Sequence, residues 1–388
     1  MKLLRAPGAM WRPLAGVMVL MLGGLVRNAG AQAAGDSTNA PSVTPADTLP
    51  QRTFGAFVDT YYAWDFNRPR NFDRAYTTQP ARHSEVNVNL AYVEAKWSGP
   101  RYRGRLALQW GTSVQANYAA EPKLGNVSGP NVSQFIQEAT VGYQLAPTLW
   151  LDGGIFFSHV GLEGWISRDN LAYTRSLVAD FSPYYEAGAK LTWTPSSKVT
   201  ALVCLLNGWQ NISKYNTPPA TGVRIDYTPT SAVTITYDNF IGNATADSLP
   251  VHLRIYHDVV AQYSPNALWQ LAANYSLGSQ SRSTASGGTA SWWGITTLAK
   301  YHATPRLALV GRVEEYSDPS QIIVVTGLPA SFQTTGASIG TDVSFTGPVI
   351  WRTELRALRS TSAVWPSNLS GQYSANNTFA VTSLSVTF

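Results

Sequence analysis

The chain has 388 residues, of which only 13% are charged and 12% are aromatic. A soluble domain carries about 25% charged residues, and a helical membrane protein shows apolar runs of about 18 residues or more. The composition fits neither class, and it favours strands that are apolar on one face and polar on the other. The single Cys204 excludes an intramolecular disulfide.

Residues 1–31 have the features of a secretory signal peptide. Three basic residues precede an uncharged apolar stretch at 13–26, and small residues at 29–33 offer two overlapping cleavage sites. The alternative, a transmembrane anchor, needs about 20 apolar residues, and Arg27 ends this stretch too early. We therefore expect cleavage, with export through the inner membrane and a mature chain that starts at Gln32 or Ala34.

Removal of residues 1–31 changes the net charge from +5 to +1, because four of the 28 basic residues and none of the 23 acidic ones lie there. The sequence pI of about 9.2 therefore reflects the signal segment, and it gives no support for nucleic-acid binding. Residues 32–52 are mostly Ala, Pro, Ser and Thr with few large apolar side chains. This composition predicts a flexible periplasmic linker.

From residue 53 to the end, apolar and polar side chains alternate with a period of two, which is the pattern of half-buried strands. Short turns that contain Gly, Pro or Ser alternate with connections of roughly 10 to 25 residues, and such asymmetry is typical of bacterial barrels. We predict an all-β antiparallel transmembrane β-barrel of about sixteen strands over 53–388, with short periplasmic turns and long external loops. The predicted strands are 53–65, 84–97, 102–115, 133–145, 149–158, 184–194, 199–207, 221–229, 233–241, 251–263, 267–277, 290–302, 306–316, 333–346, 349–359 and 377–388.

Outward-facing aromatic residues cluster at both ends of these strands, as expected for the two interfaces of a membrane. Trp193 and Trp351 lie at the periplasmic ends, whereas Trp110 and Tyr185 lie at the external ends. The charged residues that strict alternation would turn outward also lie at strand ends, where they cost little. These residues are Glu94, Lys96, Glu315 and Arg359.

Several long blocks resemble a family of outer-membrane β-barrel porins. They are RHSEVNVNLAYVEAKW (82–97), RGRLALQWGTSVQANYAAEP (103–122), FFSHVGLEGWISRDNLAYTRSLVADFSPYYEAGAKLTW (156–193) and NGWQNI (207–212). The resemblance is dense over 54–242 and afterwards rests on the strand pattern alone. It implies a porin in the outer membrane, and it brings no catalytic residues.

A barrel of about sixteen strands is too wide to be filled by its own side chains, so it encloses an aqueous channel. Charged side chains on the lumen face then set the selectivity. An alternative role is pairing within the wall, since Arg312, Asp342 and Glu354 lie on consecutive strands. The predicted pore-lining residues are Arg103, Arg105, Glu138, Asp152, Glu186, Lys190, Arg254, Asp258, Lys300, Glu314 and Asp342.

The third external loop, residues 159–183 (loop 3), contains more large apolar side chains than a loop in water needs, among them Trp165, Leu171 and Phe181. We expect it to fold inward and narrow the lumen, with its acids facing basic residues of the wall across a gap. It could instead cap the rim or contact a neighbouring subunit. The predicted constriction residues are Glu163, Arg168, Asp169, Arg175, Asp180, Arg312, Arg352, Glu354 and Arg356.

The sequence thus predicts a porin for passive diffusion of small polar solutes. A substrate-specific channel for a sugar or an anion is the main alternative. An outer-membrane hydrolase is less favoured, because none of the five His residues lies in a nucleophile motif. We expect no cofactor, metal or nucleic acid. The expected partners are outer-membrane lipid, a homotrimer, and the barrel-insertion machinery, for which Phe388 would be the assembly signal.

Overall fold

A computed structural model describes residues 50–282, 287–368 and 372–388. The predicted signal peptide and residues 32–49 of the predicted linker lie outside these ranges. Sixteen strands form one closed antiparallel barrel in sequence order, and the last strand, β18, closes it by pairing with both β15 and β1. The predicted fold class and strand number are confirmed.

Each barrel strand pairs with its neighbours in the chain, apart from the closing pair, and β16 and β17 form a separate two-stranded sheet. The strands are β1 (Gln51–Asp65), β2 (Val86–Ser98), β3 (Tyr102–Trp110), β4 (Ile136–Ala146), β5 (Leu149–Phe157), β6 (Tyr185–Ser196), β7 (Val199–Leu206), β8 (Ala220–Thr230), β9 (Val233–Asn243), β10 (Leu253–Asn266), β11 (Trp269–Ser281), β12 (Thr289–His302), β13 (Leu307–Asp318), β14 (Phe332–Ser344), β15 (Val349–Ser360), β16 (Trp365–Pro366), β17 (Tyr373–Ser374) and β18 (Asn376–Thr387).

Every strand boundary lies within five residues of the predicted one, and two of the differences concern the linker and a helix. β1 begins at Gln51, two residues inside the predicted linker, and β3 ends at Trp110 instead of residue 115. The chain leaves β3 at Gly111, whose φ of +136° suits glycine, and a Cβ there would lie 2.3 Å from the carbonyl oxygen of Asn89. Helix α1 (Thr112–Tyr118) follows immediately. Its alternating small and polar residues resemble a strand in sequence.

The outward positions predicted for Glu94 and Lys96 are wrong. The pairing of β1 with β2 shifts by one residue, with Asp59 opposite Leu90 and Thr60 opposite Val88. This bulge reverses the faces of the rest of β2, because side chains alternate with a period of two. Glu94 therefore lies on the lumen face, where it accepts a hydrogen bond from Arg105 Nε at 2.8 Å.

The outward face otherwise follows the predicted pattern. Trp110, Trp193 and Trp351 are exposed near the strand ends, and Glu315 and Arg359 are exposed at the external ends of β13 and β15. Tyr185 is an exception to the predicted external ring, because it is fully buried against Tyr118, with the two ring centres 4.2 Å apart. The ring stacks on α1 instead of reaching the membrane interface.

Three further short helical segments lie in the external loops. They are α2 (Pro130–Ser133), a 3₁₀ turn (Ser167–Asp169) and α3 (Leu177–Asp180). Within the described residues, no helix combines the length and the apolar character that a membrane-spanning helix requires.

Candidate functional site

Loop 3 lies inside the barrel, between β5 and β6 along the chain. The guanidinium of Arg352, on the lumen face of β15, donates to the carbonyl oxygens of Ser167 and Leu171, the latter at 2.8 Å. On β13, Glu314 Oε2 accepts the backbone N–H of Leu177 at 2.7 Å. These contacts fix the loop against the inner wall.

Three wall arginines hold the loop backbone, and we call Arg312, Arg352 and Arg356 the arginine clamp. Arg312 Nη1 donates to the carbonyl oxygen of Thr174 at 2.6 Å, and Arg356 Nη1 donates to that of Arg175 at 2.9 Å. All three are at most 2% exposed. A guanidinium suits this position because its five N–H groups can bind carbonyls and carboxylates together. The carboxylate partners of the clamp are Glu163, Glu314, Asp342 and Glu354.

The carboxylates of the clamp also satisfy the N–H groups of the loop. The N–H of Thr174 donates to Glu354 Oε2 at 2.7 Å, and the N–H of Ser176 donates to Glu163 Oε2 at 2.9 Å. Buried backbone donors without a partner are costly. The acidic and basic side chains of β13 and β15, together with Glu163, therefore supply hydrogen-bond partners for the backbone of an irregular segment inside the barrel.

Apolar contacts complete the attachment of loop 3 on two sides. Trp165 stacks on Tyr118 of α1, with ring centres 6.0 Å apart, and its indole Nε1 donates to Ser113 Oγ at 3.2 Å. On the other side, apolar residues of the loop pack against small and aliphatic residues of β10–β13. This second cluster contains Leu162, Leu171, Ala172, Val260, Ala272, Leu298 and Val310.

Only two of the predicted constriction residues keep substantial contact with solvent. The side chains of Arg168 and Asp169, in the 3₁₀ turn, are 31% and 44% exposed and lie 3.7 Å apart. Arg168 also contacts Thr387, near the periplasmic end of β18. Asp180 is buried, and its Oδ1 accepts hydrogen bonds from Thr78 and Tyr184 at 2.9 and 2.6 Å. Loop 3 therefore extends through the lumen toward its periplasmic end, and the tip of the loop carries the solvent-exposed charges.

The predicted gap between the acids of the loop and the wall arginines is not formed among the described residues. Arg312, Arg352 and Arg356 bind the loop backbone directly, and Glu163 lies 3.9 Å from Arg312. Arg175 is likewise buried, with its guanidinium carbon 3.7 Å from the ring centre of Tyr184. These predicted residues hold the loop in place instead of facing one another across water.

Many of the predicted pore-lining residues pair with one another, either on adjacent strands or across one intervening strand. Arg103 Nε donates to Asp152 at 2.7 Å, and Lys300 donates to Asp342 at 2.6 Å. Arg105 forms ion pairs with both Glu94 and Glu138. Pairing within the wall, the alternative considered from the sequence, is thus present. Asp258 is fully buried and accepts hydrogen bonds from Asn274.

Exposure divides the inner wall into two parts. On β2–β8, which we call the open wall, the side chains of Lys96, Arg103 and Arg224 are 42%, 21% and 22% exposed. On β13–β15, which we call the clamp wall, those of Arg312 and Arg352 are 0% and 2% exposed. The free part of the lumen therefore runs beside the open wall.

His159, at the start of loop 3, forms a buried ion pair with Glu186 that the sequence did not indicate. His159 Nδ1 lies 2.8 Å from Glu186, and Nε2 lies 2.7 Å from the carbonyl oxygen of Asn239. Because both ring nitrogens face oxygen acceptors, both must donate, and the ring is an imidazolium. Burial opposes this charge, but the Glu186 carboxylate outweighs it and raises the pKa of His159.

The same pair, together with Cys204, has the residue types of a metal site. His159, Glu186 and Cys204 can each offer a ligand atom, all within 4.8 Å of one another. A metal needs a ring nitrogen with a free lone pair, whereas both nitrogens of His159 are committed to oxygen acceptors. The geometry therefore fits an ion pair that joins loop 3 to β6 and β9 better than it fits a metal centre.

Phe388, the predicted assembly signal, follows β18 directly. Its side chain is 73% exposed, and its N–H donates to the carbonyl oxygen of Ala56 at 2.8 Å. Its role in barrel insertion stays a prediction. Deletion of Phe388 should reduce assembled protein far more than Trp351→Ala, another exposed aromatic near the same side. Equal losses would assign Phe388 to the interfacial aromatics.

A closed antiparallel barrel of sixteen strands, with its third long loop folded inside, defines the class of outer-membrane porins, channels for passive diffusion. Residues 51–388 match the model of the family described as "Putative beta-barrel porin-2, OmpL-like". The chain belongs to this family, and it is located in the outer membrane. The porin expectation from the sequence is confirmed.

Solved structures agree on the fold. The outer membrane channel DcaP of Acinetobacter baumannii is similar over 88% of this chain and 99% of its own, with a TM-score of 0.60 and 9% identity. An anion-selective porin from Comamonas acidovorans covers 88% and 100%, with a TM-score of 0.55 and 11% identity. OmpF of Salmonella typhi, in a complex with daunomycin, covers 87% and 97%, with a TM-score of 0.55 and 13% identity. None of the curated proteins that were compared matches the chain.

Proposed function

We propose that this porin is a narrow, non-enzymatic channel in which small polar solutes diffuse between loop 3 and the open wall. The contrast in burial carries the proposal, since the arginine clamp lies beneath the loop whereas the side chains of Lys96 and Arg103 are 42% and 21% exposed. A route lined by charged and hydroxyl groups favours hydrated solutes, because an apolar solute would have to displace ordered water.

We further propose a weak preference for anions. Along the open lumen, partly exposed basic side chains outnumber acidic ones, but the two signs are mixed, so the field at any one point is partly cancelled. The preference should therefore be measurable as a small reversal potential under a salt gradient. The basic residues are Lys96, Arg103, Arg168, Lys190, Arg224 and Lys300, and the acidic ones are Glu94, Asp169 and Asp226.

Arg254 favours a second candidate function, a channel specific for a sugar or an anion. Its guanidinium carbon lies 5.2 Å from the ring centre of Trp209 and 5.7 Å from that of Trp292, and its hydrogen bonds go to the Gln280 amide oxygen. Within the described parts of the chain, it forms no ion pair with a carboxylate. An arginine flanked by indole rings can hold a planar anionic solute by charge and stacking.

Single-channel recording in planar bilayers tests both candidates. A general pore should give steady currents that glucose and small organic anions leave unchanged at millimolar concentration. A specific channel should show brief blockades that increase with the concentration of one solute class and disappear in Arg254→Gln. Absence of any conductance from barrels that keep the mobility of the folded form on unheated gels would overturn the channel assignment.

We also propose that the protein is a homotrimer. One structural neighbour with the same barrel architecture is described in a trimer form, the OmpT outer membrane protein of Vibrio cholerae, with a TM-score of 0.53 and 9% identity. Light scattering coupled to size-exclusion chromatography in mild detergent should give three copies per particle. A single copy across a range of detergents would contradict this proposal.

A further inference from the structure

A groove of about 860 Å³ lies on the outer, membrane-facing surface of the barrel, and we call it the outer groove. It crosses β11–β15, β18 and β1, and its floor consists of small outward-facing residues such as Gly311 and Ala380. A Cβ atom placed on Gly311 would meet nothing within 4 Å. The outer surface of the barrel is therefore indented here, because other strands carry larger side chains at the same level of the membrane.

The threonine hydroxyls of the outer groove form hydrogen bonds within the barrel wall. Thr341 and Thr353, on neighbouring strands, share a hydrogen bond of 2.8 Å, and Trp351 Nε1 donates to Thr382 Oγ1 at 2.7 Å. These threonines can turn their methyl groups toward the bilayer. Because unsatisfied polar groups are costly in hydrocarbon, this arrangement suits an apolar occupant.

Aromatic rings mark the two ends of the outer groove. Tyr62 and Trp64 of β1 lie at its external end, and Trp269 and Tyr301, with ring centres 4.8 Å apart, lie at its periplasmic end. Aromatic residues of this kind occupy the two interfaces of a membrane. The groove therefore runs through the hydrocarbon region, where acyl chains are the surrounding solvent.

Arginines lie above the external end of the groove. The guanidinium carbon of Arg68 is 5.7 Å from the ring centre of Trp64. Arg359 points outward from β15, about 13 Å along the strand from Leu355 in the groove lining at ~3.3 Å per residue. Asn67 joins the two regions, because its Nδ2 donates at 2.8 Å to the carbonyl oxygen of Asn376, the register partner of Arg359.

The rim is predominantly basic. Arg70 is also exposed and donates to Asn368 Oδ1 at 2.8 Å, next to the same segment. The outward-facing acid nearest in register is Glu315, which is opposite Thr335, and Thr335 is in turn opposite Arg359. Basic residues at a membrane surface attract anionic headgroups. The basic rim and the apolar groove therefore both fit an anionic lipid.

We propose that the outer groove binds one phosphate-bearing anionic lipid of the external leaflet. Its acyl chain lies over Gly311 between the two aromatic ends, and its phosphate lies between Arg68 and Arg359. Arginine suits this role because its planar fork donates two parallel hydrogen bonds to a phosphate. This lipid site is separate from the lumen, and it does not depend on which solutes pass.

The acyl-chain part is tested by filling the groove. Gly311→Phe places a ring into open space, and Ala261→Phe is the matched control, since Ala261 faces outward on β10 and does not line the groove. The probe is dimyristoyl phosphatidylglycerol added to the detergent-purified barrel, with native mass spectrometry as the readout. The parent and Ala261→Phe should retain one lipid per barrel, whereas Gly311→Phe should retain none.

The headgroup part is tested with Arg68→Gln combined with Arg359→Gln. Loss of charge-assisted hydrogen bonds should weaken retention of the phosphatidylglycerol probe about tenfold, while retention of the matching uncharged diacylglycerol should not change. Equal retention of the anionic probe by the parent and all variants would overturn the proposal. A change in the number of protein copies in Gly311→Phe, without a change in bound lipid, would also overturn it and identify the groove as a subunit contact.

Discussion

The open wall and the clamp wall use the same residue types for different purposes. Arg103 and Arg105 on β3, like Arg352 and Arg356 on β15, occupy lumen-facing positions of their strands. On the open wall Arg103 pairs with Asp152 and stays about a fifth exposed, whereas on the clamp wall Arg352 and Arg356 also bind carbonyl oxygens of loop 3 and are buried. The strand pattern identifies a lumen-facing arginine, but only packing distant in sequence decides between lining the channel and anchoring the loop.

Deletion of loop 3 should expose the clamp wall to solvent as the open wall is exposed. We expect it to produce the largest change in conductance. We expect deletion of residues 164–178 to raise single-channel conductance severalfold, because the loop bridges the lumen from α1 to β10–β13. The control is deletion of 246–249, an exposed turn between β9 and β10. Unchanged conductance in a 164–178 deletion that inserts normally would show that the loop does not obstruct the pore.

Single arginine substitutions should separate the two walls by stability. Arg352→Met leaves loop carbonyls and Asp342 short of a buried donor, and we expect it to lower the free energy of unfolding by about 3 kcal/mol. Arg103→Met breaks a pair in which only the arginine is partly exposed, and it should cost less, about 1 kcal/mol. Urea unfolding in lipid vesicles, followed by gel mobility of unheated samples, measures both. Similar losses of unfolding free energy in the two variants would contradict the distinction between the clamp wall and the open wall.

The barrel could be predicted from the sequence because apolar and polar side chains alternate at every second residue, and this pattern is local to each strand. The pattern fails at Asn89, where one bulged residue reverses the faces of Glu94 and Lys96. It also fails after Gly111, where α1 turns inward with a sequence that alternates like a strand. Both failures depend on contacts with residues distant in the chain.

The site could be predicted in part. The apolar content of loop 3 favoured a place inside the barrel, and the alternation of β13–β15 placed their charges on the lumen face. Their role as a clamp was not predictable, because it depends on backbone carbonyl oxygens of residues 167–175, which are present whatever the side chain. The ion pair of His159 with Glu186 was missed for a similar reason, since the partners lie 27 positions apart in the chain.

Two acids of loop 3 should differ in their influence on ion selectivity. Asp169 is exposed at the tip, so Asp169→Asn should shift the reversal potential toward anions. Asp180 is buried and bonded to Thr78 and Tyr184. Asp180→Asn should therefore leave selectivity unchanged and lower stability by about 1 kcal/mol. Equal shifts in both variants would mean that Asp180 also faces the channel.

The smallest expected effect is a dependence of loop attachment on pH. Since folding raises the pKa of His159, the imidazolium stabilises the fold fully below its ordinary pKa of about 6.5. This contribution is lost as the pH rises through the higher folded value. The groups around the ring are Glu186, Asp238, Arg224 and Cys204.

Unfolding midpoints measured between pH 6 and pH 10 should therefore fall more steeply for the parent than for His159→Gln. The two proteins carry the same remaining titratable groups, so the difference between their curves isolates this ring. Parallel curves would show that His159 keeps one charge state throughout that range.

Thiol accessibility tests the division of the lumen most directly. In a Cys204→Ser background, Lys190→Cys places a thiol on the open wall, and Ser338→Cys places one on the clamp wall, opposite Arg312 and Arg356 in register. A charged methanethiosulfonate reagent should reduce the single-channel current of Lys190→Cys within seconds and leave that of Ser338→Cys unchanged. Rapid block of Ser338→Cys with no effect on Lys190→Cys would show that solutes pass on the side where loop 3 is attached, and would contradict this account.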